Sequence, residues 1–197
     1  MPAAGSVILP VGPRSPSLSM VFPVASGRVA LRPLRPTDYP QVRRWDLDRE
    51  LVSLYGGLPS DLARLEPGYV MAIEAGGRLV GLIGLTGDTW PMRSAELRIL
   101  LGEKLHRGRG LGREAISLFL AHVFETTALD FIYLRVFRHN ERAIRCYSSC
   151  GFRLAGRLEV RSDPRYADPP PADDLLLMTY RPPASERAAE APDRGRR

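Results

Sequence analysis

An α/β fold built on one mixed sheet is what this sequence predicts, and three observations carry the prediction. Runs of alternating apolar and polar residues recur along the chain, two β-rich runs meet at Gly76-Gly77, and two helix-like stretches are interleaved with the later runs. The 197 residues, 44% of them apolar, can bury one substantial core and fit one domain better than two. Residues 1–26 and 183–197 are rich in Pro, Ala, Ser and Arg and lack apolar periodicity. They are expected to be disordered tails around a domain at 27–182.

The first element, "GRVALRPLR", alternates like a strand, and "PTDYPQVRRW" follows as a helix that Thr37 or Asp38 is placed to cap. Helical pattern continues through "DLDRELVSLYGG" and "SDLARLE", the second opened by Ser60. "YVMAIEAGGRLVGLIGLTG" is a hairpin that turns at Gly76-Gly77. "SAELRILLGE" is the next strand, with Ala95, Leu97, Ile99 and Leu101 on one face. "LGREAISLFLAHVFETT" keeps Leu111, Ala115, Leu118, Phe119 and Val123 at helical spacing. Then come a strand, "FIYLRVF", a helix, "NERAIRCYSSC", ended by Gly151, and two strands, "FRLAGRLEVR" and "DDLLLMTY".

Several function classes recede on composition. No apolar run reaches 18 residues, so no membrane span is expected. The N-terminus has no basic region ahead of its short apolar patch, which Pro10, Pro13 and Pro16 interrupt. It reads poorly as a signal peptide, and a cytoplasmic location is expected. Cys146 and Cys150 stand four apart on one helical face. They are read first as small apolar side chains, with a metal or redox pair as the lesser reading. The net charge of +6 argues only weakly for nucleic acid, because all but one of the 28 basic residues are arginine spread along the chain. Aromatic residues are not interleaved with the basic ones on a strand face, as single-strand binding would need.

The stretch "HRGRGLGREAI" is the most informative. Gly108, Gly110 and Gly112 alternate with basic residues where a strand feeds a helix. Bare backbone at a helix start offers free N–H groups at the positive end of the helix dipole, which suits a pyrophosphate. Arg107, Arg109 and Arg113 add charge and bidentate donors. The dinucleotide pattern G-x-G-x-x-G fails at Arg113, and no G-K-[ST] is present for a P-loop. A tight turn with incidental arginines is the plain alternative.

"RGRGLG" matches the (R/Q)-x-x-G-x-(G/A) loop of the GNAT superfamily of N-acetyltransferases, with Arg107, Gly110 and Gly112 in the fixed positions. About thirty residues on, "VFRHNERAIRCYSSCGF" resembles that family's second signature through Asn140, Ala143, Tyr147 and Gly151-Phe152. The resemblance covers about residues 28 to 181 and looks most like the branch of ribosomal-protein and polyamine acetyltransferases. It implies a GNAT fold: a mixed, mostly antiparallel central sheet flanked by helices, with two parallel strands, "ELRILL" and "FIYLRVF", splayed at the cofactor cleft. It implies acetyl-CoA as co-substrate, no metal, and direct transfer to a primary amine on a protein N-terminus, a polyamine or another small molecule. A homodimer is within what it allows. A GNAT-like domain that binds acyl-CoA as a sensor or interaction module, without turnover, is the alternative from another class.

The resemblance also implies roles. Backbone groups of Leu100, Leu101 and Gly102 would pair with the pantetheine arm and the carbonyl. The loop of Arg107, Gly108, Arg109, Gly110, Leu111, Gly112 and Arg113 would hold the pyrophosphate. Asn140 would hydrogen-bond the cofactor arm, although an Asn there is equally an ordinary N-cap. Tyr147 would return a proton to the CoA thiolate, the other reading being a core tyrosine with its hydroxyl at the surface. Glu96 lies one step from the apolar face of its strand, so it can point into the cleft as a general base or simply be solvated. Asp38, Asp46, Asp48 and Glu50 fall in the front helices, as an acceptor pocket or as a plain solvated face. Cys146 is not read as a nucleophile.

Overall fold

The computed structural model describes residues 24–65, 69–89, 93–158 and 175–183. Expectations for the remaining residues, including most of both tails and the outer ends of the last two strands, lie outside them. The chain runs β1 (Val24–Ser26), β2 (Val29–Pro33), a 3-10 turn at Pro36–Asp38, α1 (Tyr39–Trp45), α2 (Arg49–Tyr55) and α3 (Pro59–Ala63). It continues with β3 (Val70–Ala75), β4 (Arg78–Thr89), β5 (Ser94–Leu101), a 3-10 turn at Lys104–His106, and α4 (Leu111–Thr126). β6 (Phe131–Phe137), α5 (Glu141–Ser149), β7 (Arg153–Leu158) and β8 (Leu175–Tyr180) complete it. The strands form one sheet in the order β1-β2-β3-β4-β5-β6-β8-β7. Its pairs are antiparallel except β5–β6.

The hairpin between β3 and β4 turns where expected, with φ of +58° at Gly76 and +71° at Gly77. Two positive φ values in a row match strand twist and are available to glycine without strain. β1 covers the last three residues of the segment expected to be a tail: it pairs with β2 from Val24↔Leu31 to Ser26↔Val29. Three residues are too few to show a period, and the pairing is made by tertiary context.

Two apolar clusters lie on opposite faces. Ala95 and Leu97 of β5 join Ala115, Ile116 and Phe119 of α4 in the larger one, with Ile99 and Leu101 packed against it. Leu100, on the other face, meets Val42, Trp45 and Leu51 beneath α1 and α2. Strand alternation therefore divides β5 between two cores, and each fully buried aliphatic side chain contributes about 1.5–3 kcal/mol.

Two caps differ from expectation. Asp38 stands at the N-cap of α1, but its side chain makes no cap bond to that helix. Its carboxylate, 6% exposed, accepts from both Nη atoms of Arg32 at 2.7 and 2.9 Å and from the Arg35 amide at 2.7 Å. A buried guanidinium requires a charged partner, and this outweighs the cap. Ser60 does not open α3 either: the N-cap is Leu58 with Pro59 following, and the Ser60 amide donates to Asp46 Oδ1 at 2.9 Å. Asp46 thus satisfies the start of α3 from outside that helix.

Gly102, just beyond β5, is a packing position. A Cβ there would lie 2.0 Å from Cδ2 and Cε2 of Trp45, whose Nε1 donates to Glu103 Oε1 at 3.0 Å. Gly102→Ala is expected to displace the indole and destabilise the fold by about 1–3 kcal/mol, read by thermal melting. An unchanged melting temperature would contradict this packing.

Candidate active site

The site begins where the parallel pair gives out. β5 and β6 are in register only at Ser94↔Phe131, Ala95↔Ile132 and Glu96↔Tyr133. Beyond that, β5 stays paired with β4 to Leu101, and β6 with β8 to Phe137. The strands diverge into a wedge that opens as a cleft of about 410 Å³. Among the described residues the β6-facing edge of β5 has no strand partner along this stretch, so an extended ligand can pair with it.

The glycine loop closes the open end. Gly110, at φ +82°, is the N-cap of α4, and the first helical bond runs from the Glu114 amide to its carbonyl at 3.1 Å. The amides of residues 110 to 113 therefore have no acceptor inside the helix. They sit at the positive end of a 16-residue helix, with Gly108, Gly110, Gly112 and Arg113 all lining the cleft. Other loop residues face elsewhere. The Arg109 carbonyl accepts from Arg28 Nη2 at 2.9 Å, and Leu111 is 4% exposed in the larger core. Arg107 lines the cleft, but its Nε donates to the Leu101 carbonyl at 2.8 Å and one Nη to the Gly102 carbonyl at 2.9 Å and Asp48 Oδ2 at 2.8 Å. Its guanidinium holds protein groups, where the motif had suggested a phosphate.

Leu100, Leu101, Asn140 and Tyr147 line the cleft; Gly102 and Glu96 do not. Asn140 is the N-cap of α5: Oδ1 accepts from the Ala143 amide at 3.2 Å, and Nδ2 reaches the Leu54 carbonyl of α2 at 3.5 Å. Tyr147 is half-buried on α5, its ring 6.1 Å from that of Phe152. No described residue hydrogen-bonds its hydroxyl. Burial, the largest cause, and the neighbouring Cys146 push the phenol pKa up, against the pull of the Arg98 guanidinium. The group stays protonated at neutral pH, as an acid must.

Glu96 corrects the expectation of a carboxylate aimed into the cleft. It is 3% exposed, with Oε1 accepting from Arg135 Nε at 2.9 Å and Oε2 from an Arg135 Nη at 2.6 Å. Arg98 Nη1 is 3.6 Å from Oε1. A bidentate guanidinium occupies both oxygens, and what it presents to the cleft is Arg135 and Arg98. These two arginines were missed in the sequence. Each interrupts an apolar strand, Arg98 between Leu97 and Ile99 and Arg135 between Leu134 and Val136, and that interruption was the available signal. Arg98 also donates to the Tyr55 hydroxyl at 3.2 Å, which ties α2 to the cleft floor.

Among the front carboxylates, Asp38 and Asp46 hold Arg32 and the start of α3, and Asp48 holds Arg107. None lines the cleft. Cys146 and Cys150 pack against the larger core. Among the described residues no cluster of His, Cys, Asp and Glu could hold a metal, and no helix is long and apolar enough to cross a membrane.

A mixed sheet with a splayed parallel pair and a glycine-started helix at its mouth is the architecture of the GNAT fold. The family described as "Acetyltransferase (GNAT) domain" matches residues 28–153, and the chain belongs to it. It is an N-acetyltransferase that uses acetyl-CoA. It is 28% identical over 141 residues to the spermidine N(1)-acetyltransferase of Escherichia coli K12, covering 66% of this chain and 75% of that one. Over 66 residues it is 32% identical to the spermine/spermidine N(1)-acetyltransferase of Bacillus subtilis 168, covering 34% of this chain and 43% of that one. Among solved structures it resembles a spermidine N-acetyltransferase from Vibrio cholerae in complex with CoA and spermine, at TM-score 0.66 and 24% identity, covering 78% of this chain and 95% of that one. A GNAT-family acetyltransferase from Bacillus anthracis gives TM-score 0.68 at 16% identity, covering 81% and 98%. At these identities the structural matches show the shared fold.

Proposed function

We propose that this chain acetylates a primary amine directly, with the acetyl-CoA arm along the free edge of β5, its pyrophosphate on the α4 amides and its sulfur beside Tyr147. In the overall chemistry a neutral amine forms the new C–N bond while the C–S bond to CoA breaks; the nitrogen gives up one proton, which restores the phenol directly or through water, and one proton must reach the departing sulfur. Tyr147 Oη holds that proton. The observation that carries the reading is the wedge itself, with an unpaired strand edge, free helix amides and a cleft-facing tyrosine whose hydroxyl no described residue engages. In this reading Asn140 joins α5 to α2 at the wall of the cofactor arm, and Glu96 acts by holding Arg135 and Arg98. The reaction belongs in the cytoplasm, where acetyl-CoA is available.

The relatives' names make spermidine the reference acceptor. One observation favours a second reading, an amine that carries an oxyanion: Arg98, Arg113, Arg142 and Arg145 line the cleft beside the carboxylate-held Arg107 and Arg135, and, among the described residues, no carboxylate does. Arginine favours carboxylate and phosphate over a polycation. Thiol release from acetyl-CoA with spermidine, tyramine, β-alanine and glucosamine 6-phosphate separates them. Turnover of at least one is expected. Spermidine leading establishes the polyamine reading, and an anionic amine leading establishes the second. Binding of acetyl-CoA with no release on a broad amine panel would leave a sensor module.

A further inference from the structure

Arg107 opens the glycine loop, yet only 6% of its side chain is exposed. Its planar fork joins three protein acceptors. Two are consecutive carbonyls, Leu101 at the end of β5 and Gly102 after it, and the third is Asp48 Oδ2. Asp48 is itself fixed. It is the N-cap of α2, with Oδ1 accepting from the Leu51 amide at 3.3 Å and lying 3.5 Å from Lys104 Nζ, and its side chain is 13% exposed. Burial, the largest influence on its pKa, works upward, but the hydrogen bonds from Arg107 and from the Leu51 amide outweigh it, and the carboxyl stays below its ordinary range. α2 also walls the cleft with Leu51, Leu54 and Tyr55. The close Arg107–Asp48 ion pair, with Glu50 Oε2 of α2 3.8 Å from the other Nη, therefore joins the helix beside the cleft to the loop at its mouth.

We propose that Asp48 is a positioning residue for acetyl-CoA binding: through Arg107 it holds the end of β5 and the glycine loop in the geometry that presents the α4 amides to the pyrophosphate. The assignment rests on reading that loop as the phosphate site. It assigns Asp48, for which sequence left an acceptor pocket and a solvated face both open, to the support of the cofactor. A guanidinium that gripped phosphate with its Nε and this Nη would have to leave Leu101, Gly102 and Asp48, stranding a mostly buried carboxylate; the other Nη lies 3.8 Å from Glu50 Oε2.

Calorimetric titration of acetyl-CoA into the full chain tests this. Asp48→Asn keeps a side-chain oxygen for the α2 cap and removes the charge, so affinity should fall by about tenfold, since small misplacement of binding groups is costly. Lys104→Ala, which removes a largely exposed partner, should change affinity by less than about twofold. Arg107→Lys keeps a positive charge without the fork and should lose as much as Asp48→Asn. The double variant Asp48→Asn/Arg107→Ala should lose no more than Arg107→Ala alone, because Asp48 acts through Arg107. If Arg107 were a direct phosphate ligand, Asp48→Asn would free it and leave affinity equal or tighter, and the proposal would be overturned. Wild-type protein that bound no acetyl-CoA would overturn the loop reading and this proposal together. Wild-type binding with unchanged variants would overturn this proposal alone.

Discussion

Tyr147→Phe is expected to lower turnover by about 10²-fold or more at saturating acetyl-CoA, while acetyl-CoA affinity changes by less than about twofold. The ring stays, so packing against Phe152 stays, and only the hydroxyl is lost. Because burial and Cys146 raise the phenol's pKa, the acid form persists to higher pH than in a free tyrosine, near 10. The acid should therefore not be lost at any pH below about 10, and a turnover limb falling at pH 8 would implicate another group. Steady-state kinetics alongside calorimetry reads both parts. A variant that weakened affinity and kept saturated turnover would make Tyr147 a cofactor-holding residue. One that changed neither would make it a core residue.

Gly112→Val is expected to weaken acetyl-CoA binding by about 10²-fold with little loss of folding stability. Gly112 is not among the positive-φ glycines, so a side chain meets no backbone strain there. Its Cβ would stand 3.7 Å from Cys146 Sγ and 3.8 Å from Leu101 Cδ1, ordinary contacts with two cleft residues. The added methyls would then fill the space between loop and α5 where a pyrophosphate must approach the amides. Gly110→Val should also lose binding, but φ of +82° adds strain, about 1–2 kcal/mol for a left-handed L-residue, so folding and binding fall together. Melting curves and calorimetry on both variants separate the effects. Normal affinity in folded Gly112→Val protein would remove the phosphate-loop reading.

These two residues show how much was legible in advance. The alternation that placed Ala95, Leu97, Ile99 and Leu101 on one face is a local property of a strand, and the structure keeps it. The motif spacing likewise brought Gly110, Gly112, Asn140 and Tyr147 to one cleft, because backbone position follows from the order of strands and helices. Side-chain direction did not follow. Arg107 meets Asp48, 59 residues earlier, and Glu96 meets Arg135, 39 residues later; pattern within one segment carries no trace of such partners. Caps failed for the same reason. Asp38 answers to a buried Arg32 and Ser60 to Asp46, both in other elements. A three-residue strand such as β1 exists only through its partner.

The measurement that tests the central claim most directly is a crystal structure of this chain with CoA bound. The wedge reading predicts the pantetheine arm along the β6-facing edge of β5 beyond Glu96, the pyrophosphate on the amides of residues 110 to 113, and the sulfur within hydrogen-bond reach of Tyr147 Oη, with Arg107 still on Asp48. CoA seated elsewhere, or a sulfur remote from Tyr147, would contradict it.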